Sequence, residues 1–349
     1  MVITNFLILL LGLVFLVKGS DYFVKSASAI AEKLGVSEFV IGLTLVAVGT
    51  SIPELASSIV ASIQHASGIV VGNVVGSNIV NIGLIVGLAA FLTPIKTEVE
   101  MLRRDGYIML FAAVLFFVFA LNGELSKIES VLFILLYIAY TFFLFEEAEK
   151  YKGKLHFKEF LKYFFKFQYI SSAKQKINGM ANGSNRNNGD SGNKNSQSKD
   201  GFSKDILTLV LSCAAIIIGA NYFVEESIFF AELLGVPDTI IGTTLVALGT
   251  SLPELAVTVS AARQGYGSIA LGNVIGSNIT NIFMILGVSG LLFPIAVAEI
   301  SLFFTTPVMI FISIALLIFI STGWEIKRWE GISLMAIYAA FLLLLFRVT

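Results

Sequence analysis

Apolar residues in this chain do not alternate with polar ones; they fill whole windows. Runs of roughly 17–25 residues, the length that crosses a hydrocarbon core, recur at 2–18, 36–62, 69–92, 106–122, 128–145, 205–223, 236–262, 268–293, 302–321 and 332–346. The pattern predicts an all-α polytopic membrane protein with about ten transmembrane helices. Two of the runs carry the same flaw. "GTSIPEL" (Gly49 to Leu55) and "GTSLPEL" (Gly249 to Leu255) put a proline and a glutamate where hydrocarbon is expected.

The two flaws lie 200 residues apart, and that offset holds widely. Gly19 and Tyr22 to Val24 match Gly219 and Tyr222 to Val224, and Leu34 to Val36 matches Leu234 to Val236. "IGLTLVAVGTSIPELA" (Ile41 to Ala56) matches "IGTTLVALGTSLPELA" (Ile241 to Ala256), and "GNVVGSNIVNI" (Gly72 to Ile82) matches "GNVIGSNITNI" (Gly272 to Ile282). A register kept this far indicates internal duplication. With an odd number of spans in each half, the second half enters the membrane the other way up. Two inverted-topology five-helix repeats with broken helices at the midplane are expected, a build found in secondary transporters. The expected divisions are a first repeat at 1–145, a connector at 146–204 and a second repeat at 205–349.

Composition agrees with a membrane chain and removes other classes. Hydrophobic residues make up 56% and charged residues only 13%, the wrong balance for a soluble domain. Lone Cys213 offers neither a disulfide framework nor a thiolate metal site, and His65 and His156 lie far apart in connecting segments. No cofactor is called for. "MVITN" places no positive charge ahead of the first apolar run, so that run reads as an uncleaved anchor despite the Ala27-Ser28-Ala29 triplet. Lys and Arg fix the orientation. With both termini outside, the inner segments hold Lys18, Lys25, Lys33, Lys96, Arg103, Arg104, the cluster between Lys150 and Lys204, Arg263, Lys327 and Arg328; only Lys127 and Arg347 are left outside. The connector is then cytoplasmic. Its part at 155–170 mixes lysine with phenylalanine and reads as an amphipathic helix on the anionic inner leaflet, with a calmodulin-type target as the lesser reading. Its part at 178–201 is low-complexity and expected to be disordered.

The flaws make chemical sense. Pro53 has no N–H and crowds the carbonyl of Gly49, so the helix should break there and free carbonyls around Ala47 to Gly49. An unpaired polar backbone group in hydrocarbon costs several kcal/mol. Thr50 and Ser51 add hydroxyls at the break and Glu54 a carboxylate; Ala247 to Gly249, Thr250, Ser251 and Glu254 repeat the set. Glu54 and Glu254 are the only ionisable side chains deep inside the predicted spans, each costing roughly 2.5–3.5 kcal/mol or more. With no Lys or Arg beside them, a proton or a bound cation must compensate. In the next span Asn73, Ser77 and Asn81 form a stripe with a four-residue period, as do Asn273, Ser277 and Asn281, while Gly72 and Gly76 allow close helix approach. Either motif alone is more often plain helix packing; duplicated around two buried carboxylates, they point to a site. The oxygens suit hard cations. Calcium takes 6–8 of them in flexible geometry, whereas magnesium sheds water reluctantly. Sodium accepts the same oxygens and competes.

At these residues the chain resembles the sodium/calcium exchanger family of the calcium/cation antiporter superfamily, in its prokaryotic form without calcium-sensing domains. The paired "GTSIPE"/"GTSLPE" and "GNVVGSNIVNI"/"GNVIGSNITNI" look like the family's two alpha-repeats, and the resemblance covers all ten spans. It implies a central diamond of ion sites, with the first and sixth helices sliding to change access. It further implies metal-ion contacts from Glu54, Glu254, Thr50, Ser51, Thr250, Ser251, Ser77, Ser277, Asn81 and Asn281, with carbonyls from Ala47 and Ala247. Some relatives, the potassium-dependent ones included, carry aspartate where this chain has Asn281, which weakens the case for potassium co-transport. The expectation is therefore an antiporter, not an enzyme, that exports Ca2+ against Na+ entry across a cell membrane and needs no protein partner. A calcium/proton antiporter is the alternative and a gated cation channel the weaker one. Deleting 178–201 should leave calcium flux largely intact; lost flux in a well-expressed deletion would give the connector a larger role.

Overall fold

A computed structural model describes residues 2–97, 99, 101–150, 156–170, 172, 196–234 and 249–348. Among these residues the chain is nearly all helix. Eight helices are long and apolar enough to cross a membrane, and a bent pair makes a ninth span. The segment 235–248 and Leu155, together with 173–195, lie outside the described residues, and with them the first part of the expected span at 236–262.

In chain order, α1 (Val2–Leu34) is followed by the bent pair α2 (Glu38–Thr50) and α3 (Ile52–Ile63), then by α4 (Ser67–Leu92). Next come α5 (Met101–Asn122), α6 (Lys127–Lys150) and the short α7 (Phe157–Phe165). The second half supplies α8 (Ser196–Leu233), α9 (Leu252–Arg263), α10 (Gly267–Leu292), α11 (Ser301–Ser321) and α12 (Arg328–Val348). α4 and α10 form the centre: 78% and 83% of their apolar windows are buried, against 17% for α1 and 28% for α8. The side chains that α1 and α8 leave outward are large and apolar, such as Ile3, Leu7, Leu207 and Leu211. That is a surface for lipid.

Two small antiparallel ladders join the halves. β1 (Ile95–Lys96) pairs with β4 (Glu325–Ile326), and β2 (Glu124–Leu125) pairs with β3 (Ile295–Ala296). Since β1 precedes α5 and β2 follows it, the ladders sit at opposite ends of that helix. Each half therefore gives one strand to each face, the arrangement that inverted halves require.

Several features depart from the sequence reading. α1 does not stop near residue 18 but continues to Leu34, and its 33 residues reach about 50 Å at 1.5 Å per residue. Its polar extension is held by neighbours: Asp21 accepts from Ser260 at 2.6 Å and from Gln264 at 3.4 Å, both at the end of α9. α8 starts at Ser196, so residues 196–201 of the stretch expected to be disordered are helical, continuous with the apolar run that nucleates the helix. α7 turns Phe160, Tyr163 and Phe164 into the protein rather than into lipid, because Tyr140 and Phe143 on α6 offer ring contacts at 6.2 and 5.6 Å to Phe160. Phe165, Phe167 and Ile170 stay exposed.

The glutamates also share the interior with another ionisable group. α5 begins five residues before the predicted span, which buries Arg104 and Asp105. Arg104 Nε and Nη2 each lie 2.8 Å from Asp105 Oδ2, and Tyr140 donates to Oδ1 at 3.0 Å. The pair is tolerated because each charge has its counter-charge beside it. The corresponding positions of the second half, Phe304, Thr305 and Ala340, cannot build it.

Candidate ion-binding site

Pro53 sets the site's geometry. It sits in the first turn of α3, where its missing N–H costs nothing, and Ser51 leaves the helical region (φ −84°, ψ 8°). The axes of α2 and α3 consequently meet at 46°. The break frees less backbone than expected. Ala47 carbonyl still accepts from the Ser51 N–H at 3.1 Å and from the Thr50 hydroxyl at 3.3 Å, and Gly49 carbonyl receives the Cys213 thiol at 3.6 Å. A proline removes only its own bond to residue i−4, and the Ala47 carbonyl keeps its backbone donor. With both donors in place the Ala47 carbonyl has no lone pair left, and one becomes free for a ligand only when the single Thr50 hydroxyl hydrogen turns to Asn273 Oδ1, 3.0 Å away.

What the bend does is turn Ser51 and Glu54 toward the other half. Ser51 Oγ lies 3.1 Å from Glu254 Oε1 and 3.1 Å from Ser277 Oγ. Ser251 Oγ lies 3.5 Å from Glu54 Oε1 and 3.3 Å from Ser77 Oγ. Thr50 reaches across as well, its hydroxyl 3.0 Å from Asn273 Oδ1. Each glutamate is 1% exposed and has its Oε1 beside a serine of the opposite repeat. Their backbone carbonyls are tied to the stripe of the same half: Asn73 Nδ2 donates to Glu54 O at 3.0 Å and to Ser58 at 2.8 Å, and Asn273 Nδ2 to Glu254 O at 3.4 Å and to Thr258 at 3.0 Å.

One turn beyond the stripe serines, Asn81 and Asn281 are each 1% exposed. Each opens a stretch of π-helix, Asn81–Val86 in α4 and Asn281–Leu286 in α10. A π turn shifts the following side chains and loosens the backbone ladder, which is why such turns gather at functional positions. Four buried oxygens here have no hydrogen-bond partner among the described residues: Glu54 Oε2, Glu254 Oε2, Asn81 Oδ1 and Asn281 Oδ1. Leaving one buried acceptor unpaired costs about 1–3 kcal/mol. Four of them are matched two by two at the 200-residue offset, and a group that supplies positive charge could satisfy them.

The structure therefore brings together Glu54, Glu254, Thr50, Ser51, Ser251, Ser77 and Ser277, with Asn81 and Asn281 one turn further along α4 and α10. Ala47 is buried on α2, Thr250 is half-buried at the second break, and Ala247 lies outside the described residues. Sequence reasoning passed over Asn78 and Asn278. Each donates to the other's backbone carbonyl, at 3.3 and 3.4 Å, and accepts from the Asn281 and Asn81 amides. Neighbouring the stripe by one residue, they face about 100° round the helix and escape a four-residue period; only their place in the repeat marks them.

Comparison with known proteins bears on the family and the fold. The profile of the sodium/calcium exchanger protein family matches residues 4–146 and 204–347. The sodium/calcium exchanger MaX1 of Methanosarcina acetivorans is 78% identical over 350 residues, covering 100% of both chains. An uncharacterized membrane protein of Methanocaldococcus jannaschii is 35% identical over 329 residues, 94% of each chain. Among solved structures, the sodium-calcium exchanger NCX_Mj soaked with 2.5 mM Na+ and 10 mM Sr2+ superimposes with a TM-score of 0.76 at 32% identity, covering 98% of this chain and 99% of that one.

Proposed function

Because this chain belongs to the sodium/calcium exchanger family, a family of ion transporters whose substrates are Na+ and Ca2+, we propose that it exports Ca2+ against Na+ entry through the cage between its two repeats. The observation that carries this reading is the set of four buried oxygens, from Glu54, Glu254, Asn81 and Asn281, that have no partner among the described residues. Two carboxylates neutralise one divalent ion, and amide, hydroxyl and carbonyl oxygens complete the 6–8 that calcium takes. Ser51, Ser251, Ser77 and Ser277 supply hydroxyls beside the carboxylates, Thr50 and Thr250 hydroxyls at the breaks, and Ala47 and Ala247 carbonyls.

Sodium accepts the same oxygens, so the two ions occupy the cage by turns. Coupling follows if the occupied cage, but not the empty one, can change the side from which it is reached. α1 and α8, which pack on each other at the lipid-facing edge, are placed to make that change. Their backbones meet at Gly12 and Gly219, where a Cβ on Gly12 would stand 2.9 Å from the Gly219 carbonyl oxygen. The charge bias of the loops supports a membrane orientation with both termini outside and the connector in the cytoplasm.

Isotopic calcium uptake into proteoliposomes under imposed gradients tests the reading. An outward sodium gradient is expected to drive calcium accumulation, while potassium and pH gradients of equal size leave it at background. Accumulation driven by pH alone would replace sodium with protons as the coupling ion.

A further inference from the structure

We propose that Asn78 and Asn278 are positioning residues that hold the amides of Asn281 and Asn81 with their oxygens turned to the ion. The proposal rests on the ion-site reading and deepens it. An asparagine side chain has two N–H hydrogens on one end and an acceptor oxygen on the other. Which end faces a cation decides whether the residue attracts or repels it.

The orientation is set outside the cage. Asn78 Nδ2 donates to the backbone carbonyl of Asn278 at 3.3 Å and to Met309 Sδ at 3.6 Å. Both hydrogens are thereby used, and Oδ1 is turned the other way, where it accepts from Asn281 Nδ2 at 2.9 Å. The second half repeats the chain: Asn278 Nδ2 donates to Asn78 carbonyl at 3.4 Å and to Met109 Sδ at 3.7 Å, and its Oδ1 accepts from Asn81 Nδ2 at 3.0 Å. What remains on Asn81 and Asn281 is a buried oxygen with no partner among the described residues.

Alternative orientations fail for simple reasons. Turning Asn281 round would set its oxygen against Asn78 Oδ1, acceptor to acceptor, and aim N–H groups at the cation. Turning Asn78 to suit would point its oxygen at a carbonyl and a thioether, neither of which can donate. The Asn278 carbonyl belongs to a helix backbone and cannot rotate, so it anchors the whole sequence of bonds. The holder always comes from the opposite repeat, which makes the oxygen's orientation depend on the crossing of α4 and α10.

The test is sodium-driven calcium uptake in proteoliposomes, read as apparent KM for calcium and maximal rate, with thermal melting of each purified variant. Losing one hydrogen bond that orients a ligand should raise the calcium KM of Asn78→Ala about tenfold, to the level of Asn281→Ala. The double variant should be no worse than either single one, because both act on one oxygen. Asn78→Asp keeps an acceptor for the Asn281 amide but loses both donors and sets an oxygen against the Asn278 carbonyl and Met309 Sδ, so it too should raise KM. Should Asn78→Ala not yield folded protein, Asn278→Ala carries the same expectation against Asn81→Ala. A lowered melting temperature with unchanged KM would reduce Asn78 to a packing residue and overturn the proposal, as would multiplying effects in the double variant. A normal KM in Asn281→Ala would overturn the ion reading itself.

Discussion

Replacing Glu54 or Glu254 by glutamine should lower sodium-driven calcium uptake by at least about 100-fold. Both carboxylates are buried, each has a serine of the opposite repeat beside Oε1, and each has an Oε2 without a partner among the described residues. Glutamine preserves the shape but removes a unit of charge and can present an N–H where an oxygen stood. A unit charge 4 Å from another is worth about 4 kcal/mol at an effective dielectric near 20, and a divalent ion doubles that. Even after large losses to solvent and rearrangement, two decades in flux are expected from a factor of ten per 1.4 kcal/mol. Since the repeats place the two residues alike, the variants should fall together. Uptake near the unsubstituted level in either one would exclude that side chain from the ion's surroundings.

Gly276→Ala should also lower uptake, without touching a charge. A Cβ on Gly276 would lie 2.7 Å from Ala47 Cβ and 2.8 Å from Leu43 Cα. One turn earlier on the same helix, a Cβ on Gly272 would meet the Phe39 carbonyl oxygen at 2.7 Å. These neighbours are backbone or a lone methyl, so no rotamer can relieve the overlap, and overpacking of this kind costs about 1–3 kcal/mol. The helix has to move instead, and the part it would push is α2 at Ala47, the turn that carries Thr50 and Ser51 into the cage. Calcium uptake is expected to fall at least about tenfold, measured beside the protein's melting temperature. Unchanged uptake would mean that the α2–α10 contact does not set the cage.

Most of this was legible in the chain because a bilayer leaves few options. Unpaired backbone groups and charges in hydrocarbon are so costly that Pro53, Glu54 and their counterparts at Pro253 and Glu254 could hardly be accidents. The duplicated register then put the two glutamates in one place. Other features obey rules that local sequence does not carry. The π turns at Asn81 and Asn281 have no composition of their own, and Asn78 is silent until its hydrogen bonds are seen. The extension of α1 past Lys18 and the burial of Arg104 and Asp105 depend on neighbours distant in sequence. A hydropathy window ends at such residues whether or not a partner awaits them. The same limit explains α7: its apolar stripe was visible, but not whether protein or lipid would cover it.

The two strand pairs bear on how the molecule is made. β1 at Ile95–Lys96 has to wait for Glu325–Ile326, near the end of the chain, before its edge is closed. Until the ribosome has delivered Glu325 and Ile326, the earlier helices, those carrying Glu54 and Glu254 included, stand in the bilayer with an open strand edge at one rim. Closure of this ladder is thus late, and a nascent chain arrested before Glu325 should be a ready substrate for membrane proteases.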